Sequence, residues 1–529
     1  MARFDPRRWR ESPLRIAAAL FSGAVLKLVS PPIGLHWLHW FTFIPVLLAL
    51  HWQEGPEARG RNFRLGYLSG ISAVFCLFFW LTDTISTFSN IPFVLAAGIL
   101  VLFSAVFGIP YGLLMMLPPI LGRRYGRSWV YLFPCVWVGM EFLQPALFPY
   151  YQGVGQYRFP YTWQLASVFG AMSLSWLVLH VNSVIVDAIR TWRDSQRLPL
   201  RTLGIAGAVW CANVGFGWWR HNDIQARLHD PATPVLHASI LQEGVTMVTR
   251  LEERGDVVLK SWVDLTAKVV DQHPDLIVWP EGSIYGNPST GKLNTFLGGL
   301  ASKAQTHILL GGGTAEADPL NVQRRLYWNS CYLFGPDART HGRYDKMVPL
   351  PFGEYLPWPI SYLRDYIEGP GNFRAGTEPV AFELPGVRAE PIRFSTPICY
   401  EAILEGHMRR LSDVDLFVNI TNDGWFGDTA APHQHAMLAA VHAMEFGRPM
   451  LRIAYTGISM VVDPDGSIRE ETAPYTEVAR VVDVPLVALD TPYRTWGRIF
   501  PWITALIGFA SLWRAWPRSG GVTKSPPPA

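Results

Sequence analysis

The residues best placed to do chemistry are a thiol, a carboxylate and an ammonium set far apart along the chain. Cys399 lies in Ser395-Thr396-Pro397-Ile398-Cys399-Tyr400-Glu401. Arg393 to Ile398 reads as the end of a strand, and Ala402 to Leu411 reads as a helix. A cysteine at such a junction has helix N-terminal N–H groups beside it, which favours the thiolate and lowers its pKa. It is a candidate nucleophile, set against the plainer reading of a buried structural cysteine. Glu281 closes the apolar run Leu276-Ile277-Val278-Trp279-Pro280-Glu281 and is followed by Gly282. A carboxylate at the end of a buried strand can be desolvated and poised as a base. Lys346 ends Tyr344-Asp345-Lys346, just before Val348-Pro349-Leu350-Pro351-Phe352-Gly353-Glu354-Tyr355, a Pro/Gly-rich loop that is not helix. One such residue is weak evidence, but Glu, Lys and then Cys-Tyr-Glu, each at an element boundary, make a set for covalent acyl chemistry.

This set resembles the nitrilase superfamily, whose catalytic residues are Glu, Lys and Cys on an αββα sandwich. Pro351-Phe352-Gly353-Glu354-Tyr355, Ile398-Cys399-Tyr400-Glu401, Thr421-Asn422-Asp423-Gly424-Trp425-Phe426-Gly427 and Gly447-Arg448-Pro449 narrow the resemblance. They look like the apolipoprotein N-acyltransferase branch, membrane enzymes that complete bacterial lipoprotein maturation. The resemblance implies that Cys399 takes an acyl group from a phospholipid as a thioester and passes it to the terminal amine of a diacylglyceryl-cysteine. Glu281 is then the base, and Lys346 with the backbone N–H of Tyr400 holds the oxyanion. Glu354, Tyr400 and Glu401 match further functional positions that orient the set. No cofactor and no metal are implied. The chain departs from the pattern at Gln242-Glu243-Gly244-Val245-Thr246-Met247, and at Gln144, where the family usually has an arginine.

Such an enzyme needs a membrane platform, and the composition calls for one independently. The 529 residues are 49% hydrophobic, 13% aromatic and 16% charged, too apolar for an ordinary soluble protein. Eight apolar runs are expected to span: Leu14 to Val29, Leu35 to His51, Leu65 to Leu81, Pro92 to Leu121, Trp129 to Ala146, Trp163 to Ile189, Leu203 to Trp219 and Ile499 to Trp513. Basic residues gather in alternate connections. Arg3, Arg7, Arg8, Arg10 and Arg15 come first, then Arg59, Arg61 and Arg64, then Arg123, Arg124 and Arg127, then Arg190, Arg193, Arg197 and Arg201. Arg514, Arg518 and Lys524 follow the last run. The other connections hold only Arg158. The positive-inside rule then puts both termini in the cytoplasm. The expected organisation is a seven-helix membrane domain over residues 1–219, an external nitrilase-like domain over 220–494, and an eighth helix with a cytoplasmic tail over 495–529. The protein is expected to be a monomer in the bacterial inner membrane with its catalytic domain on the periplasmic side. The net charge of +3 is spent on topology, so no nucleic-acid partner is indicated.

Two other readings remain open: a membrane-anchored amidase acting on a small substrate, and a transporter or sensor whose external domain only binds. Intramembrane charge is sparse, with Lys27, Asp83 and Glu141 near outer ends of spans, which speaks against a pump. Gln144 to Trp163 is dense in aromatics and is expected to form a platform with Arg158 near a lipid phosphate. Met247 to Val270 contains a helical pattern with Leu251, Val258, Leu265 and Val269 on an apolar face. Pro349 to Tyr366 carries Phe352, Tyr355, Leu356, Trp358, Ile360, Tyr362 and Leu363 on a Pro-rich loop, suited to a lid dipping into a lipid interface. Of five cysteines, Cys331 is expected to be buried and unpaired rather than bridged to Cys399. His435 and His442 share a helix face, but nothing at ligand spacing completes a metal site.

Overall fold

The structure is a computed structural model that describes residues 11–53, 55–88, 91–319, 321–359, 361–362, 372–385 and 390–516. The expectations for Arg3, Arg7, Arg8, Arg10, Ile360, Leu363, Arg518 and Lys524 lie outside these residues, as does the side chain of Leu251.

Residues 235–485 fold into two six-stranded sheets. The strands are β1 (Val235–Gln242), β2 (Leu276–Val278), β3 (His307–Asp318), β4 (Asn321–Phe334), β5 (Thr340–Asp345), β6 (Ala381–Leu384), β7 (Ile392–Ser395), β8 (Leu416–Thr421), β9 (Met450–Ala454), β10 (Met460–Val462), β11 (Ile468–Arg469) and β12 (Val478–Pro485). The orders are β12-β1-β2-β3-β4-β5 and β11-β10-β9-β8-β7-β6. Pairing is parallel from β1 through β3 and from β7 through β9. Alternation along the strands makes four layers. Leu276, Val278, Leu309 and Leu333 of one sheet meet Phe394, Leu416, Val418, Ile420 and Leu451 of the other. On the outer face of the first sheet, Ile277, Ile308 and Leu310 pack with Trp262 and Leu265 of the helix Gly255–Ala267 and with Leu297 of Gly291–Ala304. On the outer face of the second, Phe417, Met450 and Met460 pack with the helix Ala430–Phe446. Strands buried on both faces read as continuous apolar runs, as parallel sheets do. The result is an αββα sandwich with a nitrilase-like order of layers.

The helical pattern of Met247 to Val270 is two helices, Met247–Glu252 and Gly255–Ala267, separated at Glu253-Arg254. One local expectation changes. The segment after Cys399 is a short 3₁₀ turn, Cys399–Ile403, followed by the helix Glu405–Arg410.

The amino-terminal part is helical, and each of the eight apolar runs falls on helix. Length and composition alone support fewer crossings. The stretch Phe93–Leu143 of 51 residues, which carries the fourth and fifth runs, and Ala171–Ser195 are long and apolar enough, and a third qualifies if Pro56–Leu77 and Trp80–Thr87, bent by 54°, count together. The first and last helices, Pro13–Val29 and Ile499–Ala515, have 17 residues each, and the second run is broken into His36–Trp40 and Ile44–Ala49. Apolar side chains on the first, last and Phe93–Met115 helices are nevertheless turned outward: Leu14, Phe21, Val94, Leu102, Leu506 and Trp513 are exposed, as lipid-facing residues are. Glycines allow close crossing of Pro56–Leu77 on Phe93–Met115. A Cβ on Gly70 would stand 2.7 Å from the Cβ of Tyr111 and 2.8 Å from the Gly108 carbonyl.

The sandwich sits on this helical part through a continuous core. Val154, Tyr157 and Trp163 pack with Tyr400, Met437 and Met444. Trp80 Nε1 donates to Gln434 Oε1 at 3.0 Å, and Gln434 Nε2 donates to the Leu77 carbonyl at 3.0 Å. Arg158, expected beside a lipid phosphate, is instead ion-paired with Glu471 and lies over the Tyr157 ring. A carboxylate within the same fold satisfies it first.

Candidate active site

Parallel strands leave their carboxyl ends open to ligands; Glu281 and Cys399 follow the parallel-paired β2 and β7, and Lys346 follows the edge strand β5, which pairs antiparallel with β4. β2 stops before Trp279-Pro280, so Glu281 emerges at the sheet's rim, and Gly282 with φ +72° lets the chain turn away. Glu281 Oε1 accepts from Asn329 Nδ2 at 2.6 Å and from Lys346 Nζ at 3.3 Å, while Oε2 accepts from the backbone N–H of Asn422 at 2.8 Å. Lys346 follows β5. Its backbone N–H donates to the Asn329 carbonyl at 2.8 Å, its carbonyl accepts from Gly376 N–H at 2.7 Å, and its side chain is buried. Its Nζ also pairs with Glu354 Oε2 at 2.8 Å. Burial by itself would lower the Lys346 pKa, but Glu281 and Glu354 overturn that and hold it well above the usual lysine value. Lys346 is therefore a fixed cation.

Cys399 is buried between the sheets, in one apolar cluster with Val278, Ile398, Val418 and Ile420. The charges of Glu281 and Lys346 both act on its thiol. The expectation of a lowered thiol pKa is corrected. Burial pushes it strongly up, the Glu281 carboxylate pushes the same way, and Lys346 offsets only part. The helix that was to supply the dipole is a single 3₁₀ turn, too short for a macrodipole. Burial thus favours the neutral thiol over the thiolate, which calls for a base as sulfur attacks.

The orienting residues divide their work. Glu354 Oε1 accepts from Asn329 Nδ2 at 2.8 Å, and Oε2 accepts from Leu350 N–H at 2.6 Å, so this carboxylate stiffens the proline-rich loop while it neutralises Lys346. Glu401 is fully buried. It accepts from Ile398 N–H at 2.8 Å, Met347 N–H at 2.6 Å, Val348 N–H at 3.0 Å and Tyr344 Oη at 2.9 Å. One carboxylate thus ties the cysteine turn to the segment after Lys346. Burial would raise its pKa, but His407, the Ile398 N–H and the Lys346 charge bring it below the usual glutamate value. Tyr400 faces the helical part, donating from Oη to the Leu147 carbonyl at 2.7 Å with its ring edge-on to Phe148. Its backbone N–H starts the 3₁₀ turn, where helix N–H groups lack internal partners and can serve an oxyanion. Phe352, Trp358, Tyr362 and Trp425 are exposed apolar groups on the loops after Lys346 and Asn422.

Asn329 is the residue that reading the chain missed. It lies in β4, and its amide nitrogen bridges Glu281 and Glu354. The polar pair Asn329-Ser330 within the largely apolar run Leu326 to Phe334 was the available signal. Gln242, at the departure from the family's arm, is buried and spent on structure, donating to the Ala473 and Thr476 carbonyls at 2.8 and 3.1 Å. All five cysteines are free thiols. His435 and His442 take separate carboxylates, Asp423 and Glu445, each at 2.7 Å, so they do not converge on an ion.

Comparison with known proteins identifies the domains that carry this arrangement. Residues 22–184 match the family model described as the apolipoprotein N-acyltransferase N-terminal domain, and residues 252–490 match carbon-nitrogen hydrolase. A Geobacter metallireducens apolipoprotein N-acyltransferase is 28% identical over 501 residues, covering 92% of each chain. One from Brucella melitensis is 29% identical over 534 residues, covering 95% of this chain and 94% of its own. An amidase from Nesterenkonia sp. AN1 aligns with 54% of this chain and 98% of its own at 17% identity, with a TM-score of 0.36. With both domain models matched in order and relatives aligned over nearly their whole length, the chain belongs to the apolipoprotein N-acyltransferase family.

Proposed function

We propose that this protein transfers an acyl chain from a membrane phospholipid to the terminal amine of the diacylglyceryl-cysteine of lipoproteins, through a thioester on Cys399. The observation that carries this reading is the junction of one buried carboxylate, one buried ammonium and one buried thiol at the strand ends. In the first half-reaction Glu281 accepts the Cys399 proton as Sγ attacks the ester carbonyl. Lys346 and the Tyr400 N–H hold the oxyanion, and the C–O bond then breaks. Glu281 returns the proton to the departing alkoxide, which leaves as lysophospholipid. In the second, the acceptor amine attacks the thioester, Glu281 takes its proton, the C–S bond breaks, and the proton goes back to sulfur. A thioester is activated toward amines, and an apolar surround limits its loss to water.

Eight crossings, with both termini in the cytoplasm, put residues 220–494 on the periplasmic face of the inner membrane, within reach of outer-leaflet lipid. A monomer suffices, because one chain supplies every residue of the site. The test is intact mass after incubation of the purified protein with phospholipid. Wild type gains one acyl mass and Cys399→Ala gains none. A wild type that stays unmodified with accessible lipid, or a mutant that is acylated equally, defeats the covalent scheme.

A further inference from the structure

Cys399 has φ +52°, a left-handed backbone that costs any residue with a Cβ and that persists only where neighbours hold it. On its amino-terminal side the turn is held by Glu401, which accepts from Ile398 N–H at 2.8 Å. On its carboxyl side the holder is His435. The Nε2 of this histidine stands 3.3 Å from the Cys399 carbonyl oxygen. Its Nδ1 is 2.7 Å from Asp423 Oδ1. The other oxygen of Asp423 accepts from Arg452 Nη2 at 2.8 Å, and Arg452 Nη1 donates to Asn419 Oδ1 at 2.6 Å. Asn419, Asp423, His435 and Arg452 are all buried. They come from β8, the turn after it, the long helix and β9, so the network joins four elements beneath the nucleophile.

Burying an ion pair and an imidazole has a large desolvation cost that apolar side chains would avoid. Nothing in the reaction uses these groups directly, since Nε2 is aimed at a carbonyl and Glu281 already serves as base. We propose that His435 is a positioning residue: with a hydrogen on each ring nitrogen, donating from Nδ1 to Asp423 and from Nε2 to the Cys399 carbonyl, it passes the rigidity of the Asp423–Arg452 pair to the left-handed turn and keeps Sγ directed at Glu281 and Lys346. This rests on Cys399 being the nucleophile. A small rotation at that turn swings the sulfur, and reacting groups held slightly out of place lose rate steeply.

Two isosteric variants separate the links. In His435→Gln the side-chain amide nitrogen occupies the place of Nε2 and keeps the donor to Cys399. In His435→Asn the amide occupies the place of Nδ1 and keeps only the contact with Asp423. The full-length protein in detergent is treated with iodoacetamide, alkylation of the Cys399 peptide is followed by mass, and thermal unfolding is recorded alongside. The expected result is that His435→Gln reacts within about 3-fold of wild type and His435→Asn at least about 10-fold more slowly, the size of one lost hydrogen bond, while both lose similar thermal stability. Equal rates in the two variants, whether both slowed or both unchanged, overturn the proposal and leave the nucleophile reading standing. A wild-type Cys399 that does not react overturns both.

Discussion

Glu354→Gln tests how the site keeps a charged lysine where no water reaches it. Lys346 is buried and has two carboxylate partners, Glu281 at 3.3 Å and Glu354 at 2.8 Å. At an effective dielectric constant of about 20, a pair 2.8 Å apart gains about 6 kcal/mol of Coulomb energy. Glutamine keeps one oxygen, enough for Lys346 on the Oε2 side but not also for Asn329 on the Oε1 side, and loses the charge, so the net loss is about 3 kcal/mol, at the low end for breaking a buried pair. That is a fall of about 6–12 °C in unfolding temperature for a domain of this size. The rate of acyl-adduct formation falls more than stability alone explains, by about 100-fold, because Lys346 then leans on Glu281 and weakens it as a base. The pH dependence has a definite sign. The folded Lys346 pKa lies above its unfolded value, so its stabilisation is complete below the unfolded pKa and is lost as pH rises through the folded one. Removing one of the two carboxylates lowers the folded pKa, so the alkaline limb of the rate profile and of stability moves to lower pH. The assay is intact-mass adduct formation and thermal unfolding across an alkaline pH series. A variant with wild-type stability, rate and alkaline limb would refute the account of Lys346 as a cation held by two carboxylates.

Two further outcomes follow from the same geometry. Because burial holds Cys399 as a thiol, Glu281→Gln should slow its alkylation at neutral pH by about 10²–10⁴-fold, and raising the pH through the range of a free cysteine should not restore it; iodoacetamide kinetics at Cys399 decide this. Asn329→Ala removes the donor shared by Glu281 and Glu354; it should cost about 1–3 kcal/mol, read by thermal unfolding, and slow adduct formation, and an unchanged rate would show that the bridge is dispensable.

The sequence by itself determined the local chemistry. An apolar run that stops at a carboxylate has to place it at a strand end, as with Leu276 to Glu281, and apolar runs such as Leu416 to Ile420 have to be buried on both faces. The outward apolar faces of the amino-terminal helices follow from composition in the same way. Only the tertiary structure decided which groups meet. Asn329 was hidden because its role depends on two carboxylates, one 48 residues before it and the other 25 after, which no period along the chain encodes. Arg158 pairs with Glu471, 313 residues away. His435 went to Asp423 and the Cys399 carbonyl rather than to a shared site with His442. The direction of the Cys399 shift also reversed, since local pattern reports a helix start while burial between two sheets is a property of the packed whole. Strand and helix boundaries are written in short-range sterics and hydrophobic period, whereas desolvation and pairing of charges depend on distances that exist only once the sheets have closed on each other.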